Sequence, residues 1–366
     1  MTEPAGGVLE TGRRDPSMDS LRFIAVTLVM LFHFLNPLAS PDGPLEGMFL
    51  ATWALRVPLL AFVAGWFSSA ELPTRRSVTR LLQSVVAVYV LFDLLLRVQF
   101  FWLTGRFLTT WDRPMFGLWF LVSLASWRVL LPYLVRIRWF GAVSVAAALL
   151  IGFTSVGASF SLSHTIAQFP LFLLGWYARQ VGLRERLTGP LVRGVAAAIL
   201  VSSVILGWEL RGVIAHRVWS MDAGYGDDPA TGVLWRALLL CWAVAVQLSM
   251  LALVPRTRIP LITACGAGSM SAYLLHQLIY RQWRYNGGPA QISAGGWPAL
   301  LGLILAVLAL AVVLMLPAVR RWVRPVVQPT ARWFLRDESR DRSSAPVAGV
   351  DGLPELGPEP DVPRLR

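Results

Sequence analysis

Met18-Asp19-Ser20-Leu21-Arg22-Phe23-Ile24-Ala25-Val26-Thr27-Leu28-Val29-Met30-Leu31-Phe32-His33-Phe34 reads as one apolar helix that carries a guanidinium and an imidazole. A helix turns about 100° per residue, so the steps from Arg22 to His33 make about three full turns. Both side chains therefore leave the same face, roughly 16 Å apart along the axis at about 1.5 Å per residue. Asp19 and Asn36 extend the stripe at either end. A cation and a titratable ring inside an apolar helix are costly in lipid, which makes an intramembrane functional site the first hypothesis. Two readings fit the stripe. In one, Arg22 snorkels to the interface and His33 is a hydrogen bonder between helices. In the other, Arg22 meets an anionic ligand at the inner face and His33 is a general base inside the bundle.

Apolar runs of this kind recur along all 366 residues. The chain is 55% hydrophobic and 15% charged, against about 25% charged in an ordinary soluble protein. The expected fold is all-α: a polytopic transmembrane bundle of about ten helices, at 18–37, 47–70, 81–104, 115–134, 139–154, 162–179, 190–209, 231–254, 260–281 and 297–318. Most approach the roughly 20 residues a bilayer core requires. The net charge of +12 does not point to nucleic acid, because the arginines cluster in short loops between apolar runs and read as topology determinants. Placing both termini in the cytoplasm puts Arg13, Arg14, Arg22, Arg75, Arg76, Arg80, Arg136, Arg138, Arg179, Arg184, Arg186, Arg193, Arg256 and Arg258 inside, along with Arg320, Arg321, Arg324, Arg332, Arg336, Arg340 and Arg342 of the tail. The outer loops keep fewer, partly balanced by Asp112, Asp222, Asp227 and Asp228.

Residues 1–17 are polar and lack a signal-peptide cleavage pattern, so the first helix is expected to be an anchor preceded by a cytoplasmic segment. The membrane domain is expected over 18–320, followed by a basic and then Asp/Glu/Pro/Gly/Ser-rich tail over 321–366 with too little apolar material to fold. Cys241 and Cys265 show no paired spacing, so neither a disulfide nor a metal site is expected. No HExxH, GxSxG, P-loop or GxGxxG pattern occurs, which leaves hydrolase and nucleotide-binding readings without support.

A second stripe lies near the end of the apolar region. Ser269, Tyr273, His276 and Tyr280 share one helical face; it suits either a substrate channel or interhelical hydrogen bonding. Arg56, Asp93, Arg97, Arg128 and Arg236 must face the interior or snorkel, and Asp93 and Arg97, four apart, can pair with each other. Trp119 reads as packing or a pocket wall. His164 and His216 fall near outer ends or loops, where a solvated loop or acceptor recognition are both open.

Met18-Asp19-Ser20-Leu21-Arg22-Phe23-Ile24-Ala25 followed by His33-Phe34 resembles the opening of the acyltransferase-3 family of integral membrane O-acyltransferases. Pro58-Leu59-Leu60-Ala61-Phe62-Val63-Ala64-Gly65-Trp66-Phe67 resembles the family's phenylalanine-rich segment, with Ala64 in place of the usual Ser. Leu118-Trp119-Phe120-Leu121 resembles its Trp-Phe-Leu element, with Gly117 where a His is frequent. Phe169-Pro170-Leu171-Phe172-Leu173-Leu174-Gly175 and Ser269-Met270-Ser271-Ala272-Tyr273-Leu274-Leu275-His276-Gln277 resemble later elements, so the likeness covers about 15–320 in the family's order.

The resemblance implies transfer of an acyl group, usually acetyl, from cytoplasmic acyl-CoA to a hydroxyl of a sugar, glycan precursor or secondary metabolite. It implies His33 as catalytic base and Arg22 as its partner or a donor contact. It also implies CoA binding by Arg75, Arg76 and Arg80, whose spacing departs from the family's usual one, and whose other reading is topology alone. Arginines hold phosphates by charge-assisted, often bidentate hydrogen bonds, which suits the CoA role. Asp19, Trp119, Ser269, Tyr273 and His276 are expected to support substrate. Acyl-CoA is then a co-substrate with no resident cofactor, the other partners being the acceptor and the bilayer. With no lysine and much Ala, Gly and Val, the composition fits a high-GC bacterial genome and a multi-pass place in the bacterial inner membrane. The rival readings are a secondary transporter or flippase for a polar solute, which the lack of an internal repeat disfavours, and a membrane scaffold.

Overall fold

The computed structural model describes residues 15–327 apart from 155, 158, 222 and 223. Arg13, Arg14, Asp222 and the tail arginines from Arg332 onward lie outside the described residues. Each apolar segment expected from the sequence is helical, and no strand occurs among the described residues. Asp15 caps α1 (Pro16–Leu35) by accepting from the Ser17 amide at 3.0 Å, with Pro16 in the first turn, where its missing N–H costs nothing. After α2 (Pro44–Ala51) the chain bends by 51° through Thr52 and the turn Trp53–Leu55 into α3 (Val57–Trp66). The segment expected as one span at 47–70 is therefore a broken pair.

Next come α4 (Arg75–Leu81) and α5 (Ala87–Thr104), joined by a π-helical turn at Leu82–Val86, then α6 (Trp119–Leu134) and the short α7 (Phe140–Leu150). They are followed by α8 (Leu162–Gln180), α9 (Leu183–Arg186), α10 (Pro190–Glu209), α11 (His216–Ser220) and α12 (Pro229–Leu253). The segment expected at 260–281 divides into α13 (Pro260–Gly266) and α14 (Ser269–Tyr285), with the Gly268 amide donating back to the Cys265 carbonyl at 2.7 Å. The last long helix, α15 (Gly288–Met315), is kinked at Gly296 ahead of Pro298, and α16 (Pro317–Val327) carries the helix past residue 320. Among the described residues, six helices are long and apolar enough to cross a membrane, or seven if the bent pair is one span. That is fewer than the ten expected, because α7, α8 and the α13–α14 pair are too short, too polar or broken to qualify.

Two features position the interior. The most extensive helix contact is α3 on α8. There, a Cβ on Gly65 would strike the Phe172 carbonyl and a Cβ on Gly175 would strike the Phe62 carbonyl. Each helix thus uses a glycine to admit the other's backbone, the close approach that packs helices in lipid. The second is the pair expected at Asp93 and Arg97, bonded at 2.6 Å and almost entirely buried. Arg97 also donates to the carbonyls of Leu108, Thr110 and Arg113 and stacks 4.4 Å from the Trp111 ring, while Asp93 Oδ1 accepts from the Met115 amide. Every charged atom of the pair has work in tying down the loop 105–118, so the cost of burying it is offset by hydrogen bonds. That loop delivers Gly117 and Trp119 to the site.

Loops that the arginine bias groups together meet at one end of the bundle. Arg184 bonds Asp15, Ser17 donates to the Pro255 carbonyl, Arg256 donates to the Arg184 carbonyl, and Arg179 donates to the Trp66 carbonyl. The opposite end holds the start of α8, α11 and the start of α12, where Tyr225 donates to the Leu149 carbonyl and Ser163 to the Met221 carbonyl.

Candidate active site

Two cavities flank α1. The first, about 470 Å³, opens beside the end where Asp15 meets Arg184 and is lined by Asp19, Arg22, Arg128, Ser269 and Tyr273 among apolar residues of α1, α3 and α6. Arg22 pairs with Asp19 at 3.2 Å and lies 4.5 Å from the Phe67 ring. The second, about 420 Å³, is lined by His33, Asn36, Arg56, Trp119, His164, Gln168 and His216 among others. Val26 lines the first and Val29 the second, a separation of just under one helical turn, or about 4.5 Å of rise. The partition is completed by Phe120, whose ring meets that of Tyr273 at 5.8 Å, and by the hydrogen bond from the Tyr273 hydroxyl to the Gly117 carbonyl.

His33 sits at this partition in contact with the second polar stripe. Its Nδ1 is 2.9 Å from His276 Nε2, and the Gln277 amide nitrogen lies 3.1 Å from both. The rings of His33 and His276 are nearly parallel, with centroids 5.1 Å apart. Hydrogen-bond chemistry assigns the protons. His276 Nδ1 is 2.8 Å from the Ala272 carbonyl, which can only accept, so Nδ1 carries the hydrogen and Nε2 of the neutral ring is a lone pair. Two lone pairs facing at that distance would repel, so the arrangement that satisfies the pair has His33 donating from Nδ1 to His276 Nε2, with the Gln277 amide nitrogen, a donor only, directed at His276 Nε2 and not at His33 Nδ1. His33 Nε2 is then the unprotonated nitrogen, and no described residue bonds it. A neutral imidazole with a bare nitrogen on a cavity wall is what a general base requires.

Gly117 explains how the pair is accommodated. A Cβ there would fall 2.5 Å from the Gln277 amide nitrogen and 3.4 Å from His33 Cε1. The space that a side chain at position 117 would need is therefore taken by Gln277.

The structure brings Asp19, Arg22, Ser269 and Tyr273 to one cavity, and His33 and Trp119 to the other, with His276 behind His33. Trp119 is a pocket wall, its ring stacked on His164 with centroids 3.9 Å apart. Arg75, Arg76 and Arg80 are exposed on α4 and line neither cavity. The second cation of the first cavity is Arg128 instead. His216, read as a solvated loop residue or an acceptor contact, lines the second cavity. It packs 4.2 Å from the Trp219 ring, beside Glu46. Gln277 and Gln168 escaped the sequence reading. Each stands four residues from a residue it did single out, Tyr273 and His164, and a fourth-residue polar repeat on an apolar helix was the signal available.

The described residues thus form a helical bundle of the membrane-spanning kind, with the His33–His276 pair between two cavities. The sequence model of the acyltransferase family 3 domain matches residues 15–316, nearly the whole chain, and the protein belongs to that family. It is a membrane acyltransferase. Searches of curated proteins and of solved structures return no match.

Proposed function

We propose that the protein transfers an acyl group, acetyl by family habit, from cytoplasmic acyl-CoA to a hydroxyl of a sugar, glycan precursor or secondary metabolite. His33 is the general base, and the observation that carries this role is the His33–His276 contact, which leaves Nε2 bare at the cavity wall. The acceptor hydroxyl oxygen attacks the thioester carbonyl as its proton passes to His33 Nε2. The tetrahedral centre then collapses, the carbon–sulfur bond breaks, and the thiolate recovers the proton to leave as CoA. The donor occupies the first cavity, where Arg22 and Arg128 face its charge, and the thioester reaches His33 past Val26, Phe120 and Tyr273. Exposed Arg75, Arg76 and Arg80 suit long-range attraction of the CoA phosphates outside the cavity.

The test is acyl-CoA-dependent thiol release and ester formation by purified protein, an activity a transporter or flippase lacks. His33→Ala is expected to lower the rate by roughly 10²–10⁴-fold, the usual worth of general-base assistance. Arg22→Ala is expected to raise the KM for acyl-CoA. Wild-type activity in both variants at equal protein level would overturn the assignment.

A further inference from the structure

The second cavity holds a cation that keeps one donor nitrogen unspent. Arg56 begins α3 at the bend after α2 and is 4% exposed. Its Nη2 donates to the Phe49 carbonyl at 2.9 Å, while Nη1 is buried with no hydrogen-bond partner among the described residues. The guanidinium lies 4.2 Å from the Phe32 ring and 5.4 Å from that of Trp219. Glu46 is close enough to attract Arg56, but no direct ion pair joins the two among the described residues. It accepts from Trp219 Nε1 at 3.0 Å and lies 3.9 Å from His216 Nδ1. None of the described residues lining the cavity is acidic. A buried guanidinium with an idle donor is costly unless something supplies an acceptor.

Four further observations describe that something. Gln168, on the wall of the same cavity, is 2% exposed and its Oε1 has no hydrogen-bond partner among the described residues, so the lining holds an unspent acceptor as well as an unspent donor. Trp119, Phe116 and Trp219 give the wall flat apolar faces, which suit the carbon face of a ring. Phe32 touches both Arg56 and His33, with ring centroids 5.7 Å apart in the second case, so cation and base are one aromatic ring apart. At about 420 Å³ the cavity is near the small end of the roughly 300–1,000 Å³ typical of small-molecule sites. That admits one or two rings and not a folded polymer segment.

We infer that the second cavity is the acceptor subsite and that it takes a hydroxyl-bearing ring with a carboxylate or phosphate, the anion held by Arg56 and a ring hydroxyl donating to Gln168 Oε1. This rests on the acyltransferase reading, since it makes His33 the group that meets the acceptor. It adds that Arg56 is the residue selecting an acidic acceptor over a neutral one.

The experiment measures the thermal stability of purified full-length protein in detergent with glucuronate, glucose 6-phosphate and glucose, because a ligand bound only by the folded state raises the melting temperature. Glucuronate, glucose 6-phosphate or both are expected to raise it and glucose to leave it unchanged. A response to one acid alone names carboxylate or phosphate as the anion. Arg56→Gln is expected to weaken acid binding by about 10- to 100-fold, the worth of a hydrogen bond to a charged group. An equal shift with glucose, no shift with either acid, or an undiminished acid shift in Arg56→Gln overturns the inference. If Arg56→Gln does not fold, Arg56→Lys replaces it. It keeps the charge and loses the planar fork, so weaker acid binding is expected and unchanged binding overturns the inference. His33→Ala separates the two conclusions, since it should lose transfer and keep the acid shift. Acid binding by Arg56 in a protein that transfers no acyl group would remove the proposed function alone. Equal transfer to neutral and acidic sugars would remove this inference alone.

Discussion

His276 donates from Nδ1 to the carbonyl of Ala272 one turn back on α14, and this local bond determines which nitrogen of His33 is free to act. In the proposed mechanism His276 positions its neighbour: it presents a lone pair at 2.9 Å that holds the His33 proton on Nδ1. His276→Ala removes that acceptor and frees the wrong tautomer, so kcat is expected to fall by roughly 10²-fold or more with little change in the KM for acyl-CoA. His276→Gln restores an acceptor oxygen and is expected to recover part of the loss. If Gln is as inactive as Ala, His276 is acting as an acid or base itself and the positioning role is wrong. The site was legible from sequence to the extent that helical spacing reveals faces. Arg22 and His33, and then Tyr273 and His276, stand out because polar groups on apolar helices are costly. Which faces meet is a tertiary fact, and no periodicity joins residue 33 to residue 276. The same limit hid Gln277, whose contact with the pair depends on Gly117 leaving it room.

At the scale of elements, α3 and α8 are held by a reciprocal contact in which Gly65 faces the Phe172 carbonyl and Gly175 faces the Phe62 carbonyl. Because backbone atoms cannot swing aside, a methyl at either glycine must push the helices apart. Gly65→Ala or Gly175→Ala is expected to cost about 1–3 kcal/mol, read as a lower melting temperature in detergent. Gly194→Ala on α10 is the control, since nothing lies within 4 Å of a Cβ there. It should be neutral or stabilising, given that alanine is the better helix former by about 1 kcal/mol. Destabilisation of all three alike would show that the α3–α8 approach has no special role. The positions of the helices were readable from hydropathy; their breaks were not. Thr52, Gly268 and Gly296 interrupt apolar runs that look continuous, because neighbouring helices can satisfy the freed backbone groups at an interruption. The breaks matter, since one sets Arg56 at the second cavity and another starts the polar face of α14 near the first.

For the whole molecule, the question is which compartment each cavity faces. Arginine counting places the N-terminus, the ends of α3, α8 and α12, and the α6–α7 loop on the cytoplasmic side, and the contacts among Asp15, Arg184, Pro255 and Trp66 gather most of these at one end. In a background of Cys241→Ser and Cys265→Ala, a cysteine is placed either at exposed Arg138 in the α6–α7 loop or at exposed Asp227 ahead of α12. A membrane-impermeant maleimide applied to intact cells is expected to label Asp227→Cys, and to label Arg138→Cys only after permeabilisation. The reverse pattern inverts the protein, and equal labelling of both in intact cells puts them on one side and removes the alternation of spans. The expected result has a mechanistic consequence. The Arg22 cavity would then open where acyl-CoA is made and the His33 cavity toward the opposite face, with a partition just under one helical turn thick between them. A flexible pantetheine arm can cross such a partition by rotation of side chains such as Phe120 and Tyr273, so acyl transfer to an acceptor on the far side needs no rocking of whole helices and no second carrier.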